Sequence, residues 1–263
     1  MLKKLLKYDL KNILKFLSIF YGLAIFFSIL TRIFFSIQNS FIISIIANIC
    51  SGITISMIAN ILINNIIRLW VRFKNNFYGD ESYLTHTLPI EKKTLYLSKF
   101  ITSIIATFTS VLVITLTLFI AYYSKENLEI LKNTLTPMAE VYNSSILKII
   151  LAFMFIFFLE ITNTIGVGYT GIILGHRMDS SKTGFSVIFG FISYIVLQIL
   201  VLLLTFMAAL FNKDLMNLFI TTDNINIDII KFTIYLACAI YILTIVITYL
   251  INLKLFKKGV NID

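Results

Sequence analysis

Six stretches of this chain are each apolar for long enough to sit in hydrocarbon, and that property excludes most folds at once. A helix needs roughly 20 mostly apolar residues to cross about 30 Å of lipid core. The stretches at about 16–37, 41–67, 99–123, 145–173, 185–211 and 231–253 all meet that length. Hydrophobic side chains make up 59% of the 263 residues and charged ones 13%, about half the charged share of an ordinary soluble domain. So few charges could not cover the surface of a soluble domain of this size. The expected fold is therefore all-α, a polytopic membrane protein with six transmembrane helices, forming a single transmembrane domain over residues 1–263. Cys50 and Cys238 both lie inside apolar stretches and read as buried free thiols. His86 and His176 stand alone in the sequence and are expected at the surface or the interface. No His, Cys or acidic set has metal-ligand spacing, so no metal is expected.

The formal charge of +9 invites a nucleic-acid reading, but its distribution explains it better. Sixteen of the 22 Lys and Arg residues fall on one side of the six-span layout. They lie in the N-terminal tail, the second loop (68–98) with the neighbouring Lys99, the fourth loop and the C-terminal tail. Asp and Glu divide evenly between the two sides, with Glu160 left in the membrane. Positive loops stay cytoplasmic, so both termini are expected inside and no nucleic-acid partner is expected. The basic start precedes a long apolar span with no small-residue cleavage site, which fits a retained signal anchor. The abundance of Ile, Asn and Lys fits an AT-rich bacterial genome, and the expected location is the bacterial cytoplasmic membrane.

Within residues 1–15, Leu2, Leu5, Leu6, Leu10, Ile13 and Leu14 recur at steps of three and four. Lys3, Lys4, Lys7, Lys11 and Lys15 take the other face. This pattern predicts an amphipathic interfacial helix lying in the anionic leaflet before the chain turns into the membrane. It serves an anchor and a partner-docking helix equally well.

The segment 68–98 is the longest piece on the basic side. Aromatic and basic residues alternate from Trp70 to Tyr78, as on a helix leaving the bilayer through the headgroups. Gly79 breaks that run, and Gly79 or Asp80 can cap a short helix with Glu81 near its positive end. On it Tyr83, Leu84, Thr87 and Leu88 share a face. Pro89 ends it and can open the next helix, which carries Lys92 and Lys93. A connector alone needs only four or five residues. A short helix with an apolar ridge therefore reads as a protein-docking element, against the alternative of a loop resting on lipid.

The run YGDESYLTHTLPIEKKTLYLSK resembles the cytoplasmic loop of type-2 permease subunits of bacterial ATP-binding-cassette exporters. Thr87, Leu88, Pro89, the basic pair Lys92–Lys93, and Ser98–Lys99 match the recurring pattern. The layout of an amphipathic N-terminal helix, six spans and no nucleotide-binding domain is similar as well. The resemblance implies that this loop is a coupling helix seated in a separate nucleotide-binding ATPase subunit. It also implies pairing with a second permease copy or a similar permease, giving a homo- or heterodimer in the lipid bilayer. The chain itself would be no enzyme and bind no cofactor, with ATP and Mg held by the partner subunit.

Glu160 falls mid-span, where an ionised carboxylate costs about 2.5–3.5 kcal/mol on insertion scales. It reads either as a translocation-path or proton-handling residue, or as a neutral carboxyl bonded to Asn163, Thr164 or a neighbouring helix. Asn60, Asn64 and Gln198 are further polar candidates in the spans, with Asn48 and Asn65 beside them. They either line a polar route or join helices. GVGYTGIILG matches a dinucleotide fingerprint but has no preceding strand. Gly168, Gly171 and Gly175 instead offer small residues for close helix contact or a bend. The outer segments 124–144 and 212–230 suit short interfacial helices. Three other classes compete with the exporter subunit. They are a proton-coupled secondary transporter using Glu160, an intramembrane enzyme that lacks a catalytic pair, and a non-transporting assembly or sensory protein.

Overall fold

The computed structural model describes residues 1–37, 40–141, 143–212, 215–217 and 227–259. Eight helices account for nearly all of them, and no strand occurs among the described residues. They are α1 (Leu2–Ser36), α2 (Phe41–Phe77), α3 (Ser82–Thr87), α4 (Lys92–Tyr122), α5 (Lys125–Val141), α6 (Ile146–Gly175), α7 (Lys182–Phe211) and α8 (Ile227–Lys257). All except α3 and α5 are long and apolar enough to cross a membrane. The chain is an all-α, multi-pass membrane protein.

The amphipathic start and the first span are one continuous helix. No Gly or Pro interrupts the sequence from Leu2 to Tyr21, so nothing stops α1 from propagating. Its 35 residues measure about 50 Å. The five N-terminal lysines are exposed as expected, while Asp9, Ile13 and Leu17 are buried. Of the apolar ridge, Ile13 is buried and Leu2, Leu5, Leu6, Leu10 and Leu14 are half-buried. α2 likewise runs ten residues beyond the expected span end, to Phe77.

The chain forms two compact units, Met1–Val71 with Leu97–Asn133, and Arg72–Tyr96 with the chain from Thr134 onward. In the first, α1, α2 and α4 meet around Ala24, Ile61 and Ile114. Polar rungs cross-link the same three helices. Tyr21 Oη and Ser110 Oγ are 2.8 Å apart, Thr31 and Thr54 hydroxyls 3.0 Å, and Ser51 Oγ and Tyr122 Oη 2.7 Å. Asn65 Nδ2 donates to Thr107 Oγ1 at 3.1 Å.

In the second unit α6 packs against both α7 and α8. Asn163 Nδ2 donates to Thr244 Oγ1 at 2.7 Å, and Asn252 Nδ2 donates to the Gly166 carbonyl at 2.9 Å. These contacts set α6 and α8 parallel and in register. Gly171 and Gly175 bring α6 against the α7 backbone at Gly190 and Ser186, so close helix contact is the role these two glycines serve. The second half of α5 packs through Ala139 onto Ile149. α5 is a helix at the place where a short one was expected, 124–144. For the segment 212–230, residues 215–217 form a helical turn with Leu215 packed on Ala209. Most of the rest of that expectation lies outside the described residues.

Candidate functional site

The connection between α2 and α4 folds as the sequence suggests, with two local differences. The amides of Tyr78 and Gly79 close onto the Lys74 carbonyl at 2.8 and 3.2 Å, and Ser82 N–H bonds to the Gly79 carbonyl at 2.8 Å. The N-cap of α3 is Glu81, one or two residues beyond the expected Gly79 or Asp80, and its side chain makes no capping bond. That carboxylate is occupied elsewhere: Arg72 Nη1 lies 2.8 Å from both its oxygens, and Asn76 Nδ2 also donates to it. Leu88 ends α3 in an extended conformation with ψ 136°, as a residue before proline must. Pro89 does not open the next helix. α4 starts at Lys92, with Thr94 and Leu95 N–H groups closing onto the Glu91 carbonyl at 2.9 and 3.1 Å.

The two faces of α3 differ completely. Leu84 is 75% exposed, Tyr83 61% and Leu88 44%, and Thr87 and Pro89 are exposed beside them. Lys93 is exposed and Lys92 half-buried at the start of α4. The opposite face is held down. His86 Nε2 lies 3.1 Å from the Phe77 carbonyl and Ser82 is fully buried. Beneath lies a bed of rings. Phe73 stacks on Tyr169 at 4.2 Å between centroids, Phe77 meets Phe256 at 4.6 Å, and Tyr78 meets His176 at 4.4 Å. Edge-to-face and offset ring pairs of this kind each add about 0.5–1.5 kcal/mol beyond burial. Burial pushes the Tyr78 hydroxyl pKa up, against a smaller downward pull from Arg177, so it remains a neutral donor. Tyr78 Oη and Ser82 Oγ make no hydrogen bond among the described residues.

His176, expected at the surface or interface, is fully buried. It caps α6, with Nδ1 2.8 Å from the Ile172 carbonyl. Two bases close the rim of the bed: Arg177 donates to the Leu255 carbonyl, and Lys74 Nζ donates to Thr183 Oγ1 at 2.8 Å.

The Arg72–Glu81 pair is solvent-exposed on the Glu81 side, at 49%. Replacing Glu81 with Ala is therefore expected to change global stability by no more than about 1 kcal/mol. Its effect should be local, as faster amide hydrogen exchange across Ser82–Thr87. Unchanged exchange in that peptide would show that the ring bed alone fixes α3.

The intramembrane candidates separate into two kinds. Asn60 Nδ2 donates to the Ser56 carbonyl and Asn64 Nδ2 to the Asn60 carbonyl, both at 2.9 Å. Each is satisfied by its own helix, and Asn65 is the residue of that group that reaches a neighbouring helix. Asn163 is buried against α8. Glu160, by contrast, is exposed halfway along α6. Thr164 Oγ1 donates to the Glu160 backbone carbonyl, not to its carboxyl group, and Asn163 donates through Nδ2 to Thr244. The expected carboxyl bond to these neighbours is not formed. Gln198 is likewise exposed on α7.

One feature has no signature in the local sequence. Lys99 Nζ lies 2.6 and 2.7 Å from the two Asp9 carboxylate oxygens, with Asp9 3% exposed and Lys99 7%. The only hint was Asp9 standing alone among the N-terminal lysines. Near the Ser36 end of α1, a cleft of about 440 Å³ is lined by Arg32, Phe35, Tyr122 and Asn127. The Arg32 guanidinium sits 5.8 Å from the Tyr123 ring centroid. Among the described residues no three His, Cys, Asp or Glu side chains gather where a metal ion could be held.

Comparison with protein-family models, with curated proteins and with solved structures finds no match to this chain. The fold and the site together define a class: a multi-pass helical membrane protein that holds a short amphipathic helix, apolar side outward, between two of its spans.

Proposed function

We propose that the chain is the membrane-spanning permease subunit of an ATP-binding-cassette exporter in a bacterial cytoplasmic membrane, with both termini cytoplasmic. It pairs with a second copy or a similar permease and docks a separate ATPase subunit through α3. The chain supplies the path, and the ATPase subunit supplies ATP hydrolysis. The observation that carries this reading is the ridge of Tyr83, Leu84 and Leu88, exposed at 61%, 75% and 44% on a helix whose other face is fixed. Burying such side chains against a partner is worth roughly 1.5–3 kcal/mol each.

The ring bed explains how a push on that ridge reaches the membrane. Displacing α3 displaces His86, Phe77 and Phe73, and Phe73 stacks directly on Tyr169 of α6. Closely packed rings transmit strain because they cannot be compressed. ATP-driven closure of the docked subunits would therefore be felt in the helix that carries Glu160.

The test is purification of the tagged chain in mild detergent, with mass spectrometry of what accompanies it. Leu84→Asp/Leu88→Asp puts two charges into the proposed contact. A stoichiometric ATPase subunit should accompany the wild type and fall at least tenfold in the variant, at equal membrane abundance. Recovery of no ATPase subunit under several detergents would sink the reading. The exposed Glu160 carboxyl supports a second one, a proton-coupled secondary transporter. Transport that persists without ATP and collapses with the proton gradient would favour it.

A further inference from the structure

We infer that Glu160 is the charged centre of a binding site for hydrophobic organic cations, which names a substrate class for the transport reading and rests on it. Glu160 is exposed at the midpoint of α6. It has no hydrogen bond or ion pair from its carboxyl group among the described residues, although every exposed neighbour on its face is apolar or aromatic. A carboxyl group in that position is costly unless something of opposite charge or water meets it.

The groups around it state what that something is. Phe157, one turn earlier on the same face, is 38% exposed. Tyr241 of α8 lies within electrostatic range of Glu160 and, separately, of Tyr194 on α7, and Tyr194 is 42% exposed. The parallel register of α6 and α8 puts Tyr241 beside Glu160, one turn before the Asn163–Thr244 hydrogen bond. The Glu160 carboxyl group is thus flanked by the Phe157 ring on its own helix and the Tyr241 ring on α8, with Tyr194 of α7 about two turns away, level with Val167. An inorganic cation would need more oxygen ligands than one carboxyl group supplies. A hydrophobic organic cation needs only the single countercharge, and it gains from ring faces through cation–π attraction and apolar burial. An anionic or zwitterionic substrate would meet repulsion, since none of these residues is Lys or Arg.

The test uses the full-length chain in lipid nanodiscs, without ATP or any ATPase subunit, and tetraphenylphosphonium as the probe in equilibrium dialysis. Tetraphenylborate, of the same shape and opposite charge, is the control. The wild type should bind the phosphonium saturably and the borate at least tenfold more weakly. Glu160→Gln should lower phosphonium affinity at least tenfold, and Glu160→Asp should retain most of it. Tyr241→Ala should lower it several-fold and Tyr241→Phe should not, because the ring face, not the hydroxyl, makes the contact. Equal binding of the two ions by the wild type would overturn the inference without any variant. So would saturable phosphonium binding that Glu160→Gln leaves unchanged. Because α3 plays no part in this measurement, Leu84→Asp/Leu88→Asp should bind the phosphonium normally. Loss of cation binding and loss of ATPase docking can therefore be told apart.

Discussion

Removing one partner of the Asp9–Lys99 pair is expected to cost about 3–5 kcal/mol, because the remaining charge stays buried without its counterion. Asp9 and Lys99 are 3% and 7% exposed, and both carboxylate oxygens lie within 2.7 Å of Nζ. Solvent screening, which reduces surface pairs to a fraction of a kcal/mol, has little access here. Asp9→Leu and Lys99→Met should each melt far below the wild type in detergent and accumulate poorly in membranes. The double variant Asp9→Leu/Lys99→Met should recover most of that loss, since an apolar pair of similar volume replaces a buried ion pair at little net cost. Denaturation of the four proteins closes the cycle. Single variants within about 1 kcal/mol of the wild type would show that water reaches the pair. In the exporter reading, this pair fastens α1 to α4 just past the coupling segment, so its loss should also weaken the link between ATP hydrolysis and transport.

Gly171→Ala and Gly175→Ala should be the most damaging conservative substitutions in the second unit. A Cβ on Gly171 would stand 2.6 Å from the Gly190 Cα and N and the Ser186 carbonyl oxygen. On Gly175 it would stand 2.3 Å from Ser186 N. These are backbone atoms, so no side-chain rotation relieves the clash and α6 must move away from α7. Overpacking of this kind costs about 1–3 kcal/mol and sometimes more, and the double substitution should abolish a folded preparation. Gly22→Ala and Gly52→Ala are the matched controls. Both lie inside long helices with nothing within 4 Å of a new Cβ, and each should be neutral or stabilise by up to about 1 kcal/mol through helix propensity. Thermal unfolding of the four single variants separates the two cases. Equal melting of Gly171→Ala and Gly22→Ala would rule out backbone contact between α6 and α7 at Gly171.

What could be read from the chain alone was whatever depends on spacing along it. Span length and apolar content mark the six membrane helices to within a few residues at most ends, because lipid thickness sets a length any sequence must meet. The short helix over Ser82–Thr87 and its Tyr83–Leu84–Leu88 ridge were also legible, since Gly79 and Pro89 bracket it and helical periodicity sorts its faces. The glycines of α6 were recognisable as contact residues for the same reason.

What only the tertiary structure decided was which side of each helix faces protein. An apolar span surrounded by lipid shows little amphipathicity, so its sequence does not say where its neighbours lie. Asn60, Asn64 and Asn65 look alike in sequence, yet only Asn65 meets another helix. His176 is expected at the surface or the interface from sequence and is fully buried against Tyr78. Glu160 looked able to bond with Asn163, but α8 takes Asn163 and leaves the carboxyl exposed. Asp9 and Lys99 stand 90 residues apart, and no local rule joins them. Charges so distant in sequence become partners only when two helices pack at one rotation and one height. That choice belongs to the fold as a whole.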